Sequence, residues 1–430
     1  LSGISLTWRG PAIGEYWDIL NARAFGNFRD LLQDITLNPA MGVFLNTRGN
    51  RAADPRTGRV PDENYARELM QLFTIGLYQL NMDGSLKMSG GQPIETYGQA
   101  DVSGLARVFT GLVLTGTEDL PPRYRQPLVV NAGMNETGAS SFLGTTVTGG
   151  GMAAINAALD AIFAHPNVGP FMARQLIQRL VTSNPSPAYV SRVARVFNGE
   201  GSGQGVRGDL RAVIKAVLAD EEARPELTPA VPGAPNSLSD GKLREPVLRL
   251  LQWLRLTRAR SATWNVPDLS GSDYLGQAPL RAPSVFNFFR PGYVPPSTAL
   301  ATAGQVAPEF QLVNESSVGS YLNYMQGVIR NGIYVNAPDV AQSTSNGNNG
   351  YDIKTAYPNE MALVADADAL VARINLLMCA GQLSAANIKL IADALKATPV
   401  TAASTEAVKL NRIAAAILLV MASAEYLVQK

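Results

Sequence analysis

The sequence predicts an all-α, mainly helical fold with a small β-hairpin insert and long ordered loops, and three observations carry that prediction. Apolar residues recur at helical spacing along most of the chain. Period-two alternation is confined to one short stretch around Asp83-Gly84. The remaining irregular stretches are rich in Pro and Gly. A chain of 430 residues with 46% hydrophobic content can bury one large core or two smaller ones. We expect a single large helical domain over 1–430, with a possible sub-division into 1–115, 152–222 and 240–430.

In chain order, helices are expected over 13–24 and 25–37. Asn38-Pro39 ends the second, because proline pushes the residue before it out of the helical region. Residues 41–45 form a short apolar turn, and 46–61 a polar loop rich in Arg, Asn, Asp and Gly. The stretch 61–77, PDENYARELMQLFTIGL, then reads as an amphipathic helix. At about 100° per residue, Tyr65, Ala66, Leu69, Met70, Leu72, Phe73 and Leu77 share one side. Glu63, Asn64, Arg67, Glu68 and Gln71 share the other. Glu63 with Arg67, and Asn64 with Glu68, are spaced i,i+4 and can touch. This polar side is either a solvated face with ordinary helix pairs or a face that looks into a cleft or a buried polar network.

Asp83-Gly84 marks a hairpin within 78–94, because a tight turn needs positive φ. A calcium loop is excluded there, since the acidic residues at its first and twelfth positions are missing. Thr96-x-x-Gln99 has capping-box spacing, with Asp101 in the first turn, and opens a helix through Leu105, Phe109 and Leu112. Residues 116–151 are irregular. Their closing Gly149-Gly150-Gly151 reads as a connection, since the Lys-Ser/Thr of a phosphate loop is missing. Four helices follow, over 153–163, 168–180, 187–198 and 209–218, with the lone His165 in a loop or cap between the first two. Residues 224–239 read as a linker. A helix over 243–256 has Leu243, Val247, Leu250, Leu251 and Leu254 apolar and Arg244, Glu245, Arg249 and Arg255 polar, and it starts near Arg244, because Pro246 is tolerated only in the first turn.

The stretch 279–315 contains PLRAPSVFNFFRPGYVPP and APEFQ, and is too rich in proline for a regular helix. Such a segment either covers a core or lines a groove. Residues 316–333 are helical, 336–358 a polar low-complexity loop, and 359–378, 385–395 and 405–426 the closing helices.

Basic and acidic residues number 36 and 35, and no charged arm stands out, so nothing favours nucleic acid or an anionic membrane as partner. No apolar run is long enough for a membrane span. The single Cys379, in an apolar run, reads as a core residue, and one His with one Cys cannot form a zinc motif. No cofactor or metal is implied. The start at Leu1 rather than Met suggests a processed or incomplete N-terminus.

The blocks PDENYARELMQLFTIGLYQLN, TYGQADVSGLARVFTGL, HPNVGPFMARQLIQRLV, GKLREPVLRLLQWLR, PLRAPSVFNFFRPGYVPP and APEFQ resemble, in order, those of the bacterial "domain of unknown function 1800" family. The matching blocks carry Glu63, Asn64, Arg67, Glu68, Asp101, Arg107, Arg244 and Glu245. The chain departs from the family pattern at Asn38, where His is common, at Asp62, where Asn is common, and at Leu112, where Trp is common. The resemblance implies a mainly helical, exported bacterial protein, commonly encoded beside a secreted sulfatase-like protein, with no established activity.

Two functions are expected. The favoured one is a non-catalytic binding or scaffold protein of the periplasm or cell surface. It would use Asn64, Asp101, Arg107, Glu245, Phe286, Phe288, Phe289, Arg290 and Tyr293, with a protein partner or polysaccharide. The alternative is a hydrolase or lyase on an extracellular polymer such as polysaccharide. Glu63 and Glu68 would be its acid and base, with Arg67 or Arg244 holding negative charge. The alternative requires Glu63, Glu68 and Arg244 to line one open pocket, with a carboxyl pKa raised by burial. The oligomeric state is left open.

Overall fold

Short polar side chains set most of the helix starts, by accepting the amide hydrogens that a first turn leaves free. A computed structural model describes residues 9–200, 205–224, 241–335 and 350–429. Leu1, nearly all of the expected linker over 224–239, and residues 336–349 of the expected polar loop lie outside them. The backbone divides into two compact units, Leu1–Ser239 and Asp240–Lys430. Each is built largely of helices, with short two-stranded antiparallel sheets.

The first unit opens with α1 (Arg9–Arg23), α2 (Phe28–Thr36) and α3 (Pro39–Phe44). The Asn27 side chain caps α2, and Asn38, whose Oδ1 accepts from the Met41 amide at 3.1 Å, caps α3. Asn38 therefore starts a helix as well as following one. The helix expected over 61–77 is shorter. α4 (Asn64–Glu68) passes into a π-helical turn, Leu69–Thr74. Pro61 and Asp62 stay in the loop, and Leu77 lies beyond the end, 47% exposed. The extra residue of the π turn is held by Thr74, whose hydroxyl donates to the Leu69 carbonyl at 2.6 Å.

The hairpin forms over 79–87, but its loop has three residues rather than two. Asn81 and Ser85 close it, and Gly84 alone takes positive φ. Asp83 instead accepts from the Ser85 amide and hydroxyl, the pattern of a type I turn followed by a glycine bulge. The pair β1 (Met88–Ser89) and β2 (Gln92–Pro93) extends it. Gly98, not Thr96, precedes α5 (Gln99–Val108). The Asp101 carboxylate reaches back to the Gly98 amide at 2.8 Å, while the Thr96 hydroxyl donates to the Gly76 carbonyl. Leu112 has left the helix and lies in β3 (Leu112–Val113), paired with β4 (Val129–Val130).

The stretch read as irregular also holds β5 (Ser140–Phe142) and β6 (Thr145–Val147). α5 lies so close on β5 that a Cβ at Gly104 would stand 1.8 Å from the Ser141 carbonyl oxygen, so only glycine fits there. The glycine cluster leads into α6 (Gly151–Ala164), whose Gly151 amide donates to Asn135. α7 (Val168–Leu180), α8 (Pro187–Phe197) and α9 (Leu210–Ala219) follow within a few residues of expectation and pack in succession. Ile155, Leu159, Ile162, Ile177, Tyr189, Val193 and Phe197 are fully buried. His165 ends α6; its Nδ1 accepts from the Asn167 amide, and burial lowers its pKa.

The second unit contains β7 (Lys242–Leu243), α10 (Pro246–Leu256), α11 (Ala299–Thr302), α12 (Glu315–Asn331), β8 (Ile333–Tyr334) and β9 (Tyr351–Ile353). It closes with α13 (Pro358–Leu363), α14 (Ala367–Cys379), α15 (Ala385–Lys396), α16 (Glu406–Met421), α17 (Ala424–Leu427) and β10 (Val428–Gln429). β7 pairs with β10, and β8 with β9. The second pair puts a strand inside the region read as a loop. The helix expected over 359–378 is two, because the Asp366 side chain caps α14, and Ser423 likewise separates α17 from α16. Trp253, Met325, Ile329, Leu370, Ile374, Ile413 and Val420 belong to one core. Cys379 is in it, and burial pushes its thiol up to about 11, a core residue rather than a reactive thiol. Among the described residues no helix is long and apolar enough to cross a membrane.

Between α10 and α11 the chain is irregular, and five non-glycine residues there have positive φ: Arg258, Trp264, Leu280, Asn287 and Ser297. Asp352, fully buried, anchors part of this stretch. It accepts from the hydroxyls of Ser261 and Thr263 and from the amides of Ala262 and Thr263. Burial opposes its charge, but these donors outweigh it and hold the carboxyl below its ordinary range.

Candidate functional site

The polar side of α4 meets the start of α5. Glu63 sits just before α4, and its carboxylate accepts from the Ser103 hydroxyl at 2.6 Å, from Gln99 Nε2 at 2.8 and 3.0 Å, and from Arg67 Nη2 at 3.1 Å. Ser103 and Gln99 are one turn apart on α5, so both reach the same carboxylate. The bond from Ser103, helped by those from Gln99 and Arg67, lowers the Glu63 pKa. Arg67 also donates to Gln99 Oε1. Asn64 gives its backbone amide to Asp62 Oδ1.

Glu68 is the exception. It lies where α4 passes into the π turn and is only 7% exposed. The sequence places it on the polar face, but one turn of tightly packed Tyr65, Leu69 and Met70 takes it inside. Among the described residues nothing bonds to its buried Oε2, and burial raises its pKa. Close by, the Tyr97 hydroxyl donates to Gln71 Oε1 at 3.2 Å. π turns frequently accompany functional positions, and an unpaired buried carboxyl is costly.

Asp101 is divided between two amides: Oδ2 accepts from Gly98 and Oδ1 from Leu143 at 2.7 Å, tying α5 to the β5–β6 turn. Arg107 pairs with Glu136 at 3.5 Å.

Arg244 and Glu245 belong to the second unit. The Arg244 guanidinium lies 5.1 Å over the Tyr426 ring and donates to Gln252 Oε1 at 3.0 Å. Glu245, buried, accepts from Gln277 Nε2 at 2.6 Å. The expectation of a polar face at Arg249 is overturned: it is buried, 4.5 Å over the Tyr321 ring, with Nε donating to the Arg244 carbonyl. Beside these lies a buried ion pair, Lys242 Nζ to Glu309 Oε1 at 2.8 Å, with side chains 1% and 2% exposed. It joins the GKLREP block to the APEFQ block.

In the aromatic segment Phe289 is buried, Phe286, Phe288 and Tyr293 are half-buried, and Arg290 is exposed over the Phe286 ring at 4.6 Å. The Arg290 amide donates to Gln311 Oε1, and the Ala307 amide to the Tyr293 carbonyl, so the segment is fastened to APEFQ.

Sequence reasoning missed Ser103, Gln99, Lys242, Glu309 and Gln277. Glu309, the single charge in the run Val306 to Phe310, was the available signal for the pair, whereas Lys242, among Asp240, Arg244 and Glu245, does not stand out. Gln277 had none. Among the described residues no group of three or more His, Cys, Asp or Glu is placed to hold a metal ion.

A family model described as "Protein of unknown function (DUF1800)" matches residues 6–428. No curated protein and no solved structure matches the chain.

Proposed function

Because the chain belongs to the DUF1800 family, whose description names no activity, we propose from its own residues that it is a non-catalytic binding or scaffold protein of the all-α class, exported to the periplasm or cell surface. The observation that supports this best is the state of Glu63. An acid or base must be free to exchange a proton with substrate, and Glu63 is engaged by three side chains that favour its charged form. Arg67, Arg244, Glu245, Asp101 and Arg107 are likewise engaged by neighbours in their own units. Export rests on the likeness of the sequence blocks to an exported bacterial family. The Phe286 to Tyr293 segment, rigidly fastened yet partly open, is the contact surface in this reading, with a protein such as the sulfatase-like neighbour or a polysaccharide as partner.

One observation favours the enzyme: Glu68 is a buried carboxyl with a raised pKa and an unpartnered oxygen, as a general acid requires. Glu68→Gln separates the readings. The fold favours the neutral form of Glu68, so from the ordinary value of 4.5 up to the raised value, stability falls as pH rises. A neutral amide removes that penalty. The scaffold reading therefore expects Glu68→Gln to stay folded, to be at least as stable as the parent at pH 7, and to lose the fall in stability above pH 4.5 that Glu68 contributes in denaturant titrations. It also expects assembly with partners to be unchanged. Loss of turnover of an extracellular polymer by the folded variant would establish the enzyme instead.

A further inference from the structure

We propose that the loop over 46–61 is a binding surface for an acidic polysaccharide, a second site, apart from the Phe286 to Tyr293 segment, that rests on the binding reading above. The loop carries four arginines, Arg48, Arg51, Arg56 and Arg59, against one carboxylate, Asp54, in a chain whose charges otherwise nearly cancel. All four are exposed. Asp54 engages Arg56 at 3.2 Å and Arg59 at 3.9 Å. Among the described residues Arg48 and Arg51 have no carboxylate partner. The loop has no helix of its own, yet its backbone is fixed along its length. The Arg48 amide donates to the Gly42 carbonyl at 2.9 Å, Gly49 to Leu112 at 2.7 Å and Ala52 to Met134 at 2.8 Å. The Asn50 side chain clamps both the amide and the carbonyl of Asp62, at 2.9 and 3.1 Å.

Fixing the backbone lowers the ordering cost of binding, and concentrated guanidinium groups match carboxylate or sulfate in geometry as well as charge. An extended anionic polymer presents such groups repeatedly, so several arginines engage at once. Nucleic acid shares the charge, but nothing in the overall charge balance favours it.

The test is affinity electrophoresis of the full chain in gels containing polygalacturonate, dextran sulfate, neutral dextran or duplex DNA. The expected result is retardation by polygalacturonate or dextran sulfate, the two arms separating carboxylate from sulfate, none by dextran, and release at high salt. Arg48→Ala/Arg51→Ala is expected to bind about ten-fold more weakly, while Arg255→Ala, in the other unit, binds as the parent does. Absence of retardation by both polyanions, equal binding by the double variant, or equal or tighter binding to duplex DNA would each overturn the proposal. A chain that isolates in a stoichiometric assembly yet ignores both polyanions loses this inference and keeps the scaffold reading. One that binds through Arg48 and Arg51 and also turns the polymer over loses the scaffold reading alone.

Discussion

Lys242→Met is expected to destabilise the second unit by about 3–5 kcal/mol. Lys242 and Glu309 are almost wholly buried, and Glu309 Oε2 has no partner in the described structure. Removing the ammonium leaves a carboxylate in surroundings that solvate it poorly, so the folded state must either carry the charge or protonate it. The double variant Lys242→Met/Glu309→Leu removes both charges and is expected to recover most of the loss, because an apolar pair of similar volume fits the same space. Urea unfolding of both variants, with hydrogen exchange resolved to peptides of each unit, measures this. A single-variant loss below about 1 kcal/mol would mean that the pair is well hydrated.

Asn167→Ala should be nearly as damaging in the first unit, at about 3 kcal/mol. This buried side chain donates to the carbonyls of Ile75 and Tyr78 at 2.9 and 2.7 Å, and accepts from the Leu80 amide at 2.9 Å. It thereby satisfies the backbone where the π turn ends and the hairpin begins, a place where neither element can bond its own groups. Truncation strands three backbone groups at once. Hydrogen exchange over 69–81 should rise more than in α8 or α9. Asn167→Asp keeps the acceptor but turns an oxygen toward two carbonyls, so it is not expected to rescue the loss. A wild-type exchange pattern in Asn167→Ala would show that the clamp is dispensable.

Much of the helical layout was legible in the sequence, since α6 to α10, α12 and α15 follow from apolar spacing and cap residues. What escaped depends on contacts that spacing does not encode. The 61–77 pattern is the same whether the backbone is α or π, and the change of frame at Leu69–Thr74 rotates the residues beyond it. Periodicity put Arg249 and Glu68 among polar positions, but Tyr321 and a ring of core neighbours bury them. The short strands β3 to β6 are two or three residues long, too brief for alternation to register, and the Leu143-Gly144 turn, with positive φ at both residues, lacks the Asn or Asp that would have announced it. Of the candidate site, Glu63 with Arg67 was visible as an i,i+4 pair. The Ser103 and Gln99 donors that decide what Glu63 can do come from a helix more than thirty residues away in the chain.

In the proposed reading this chain holds a partner and performs no chemistry, which isolation of the native protein from its host envelope under mild conditions puts to the test. The expected result is recovery in a stoichiometric assembly that survives Glu68→Gln and is broken by substitutions in the Phe286 to Tyr293 segment. Recovery as a free monomer that degrades an extracellular polymer, with degradation abolished by Glu68→Gln in a folded protein, would contradict it.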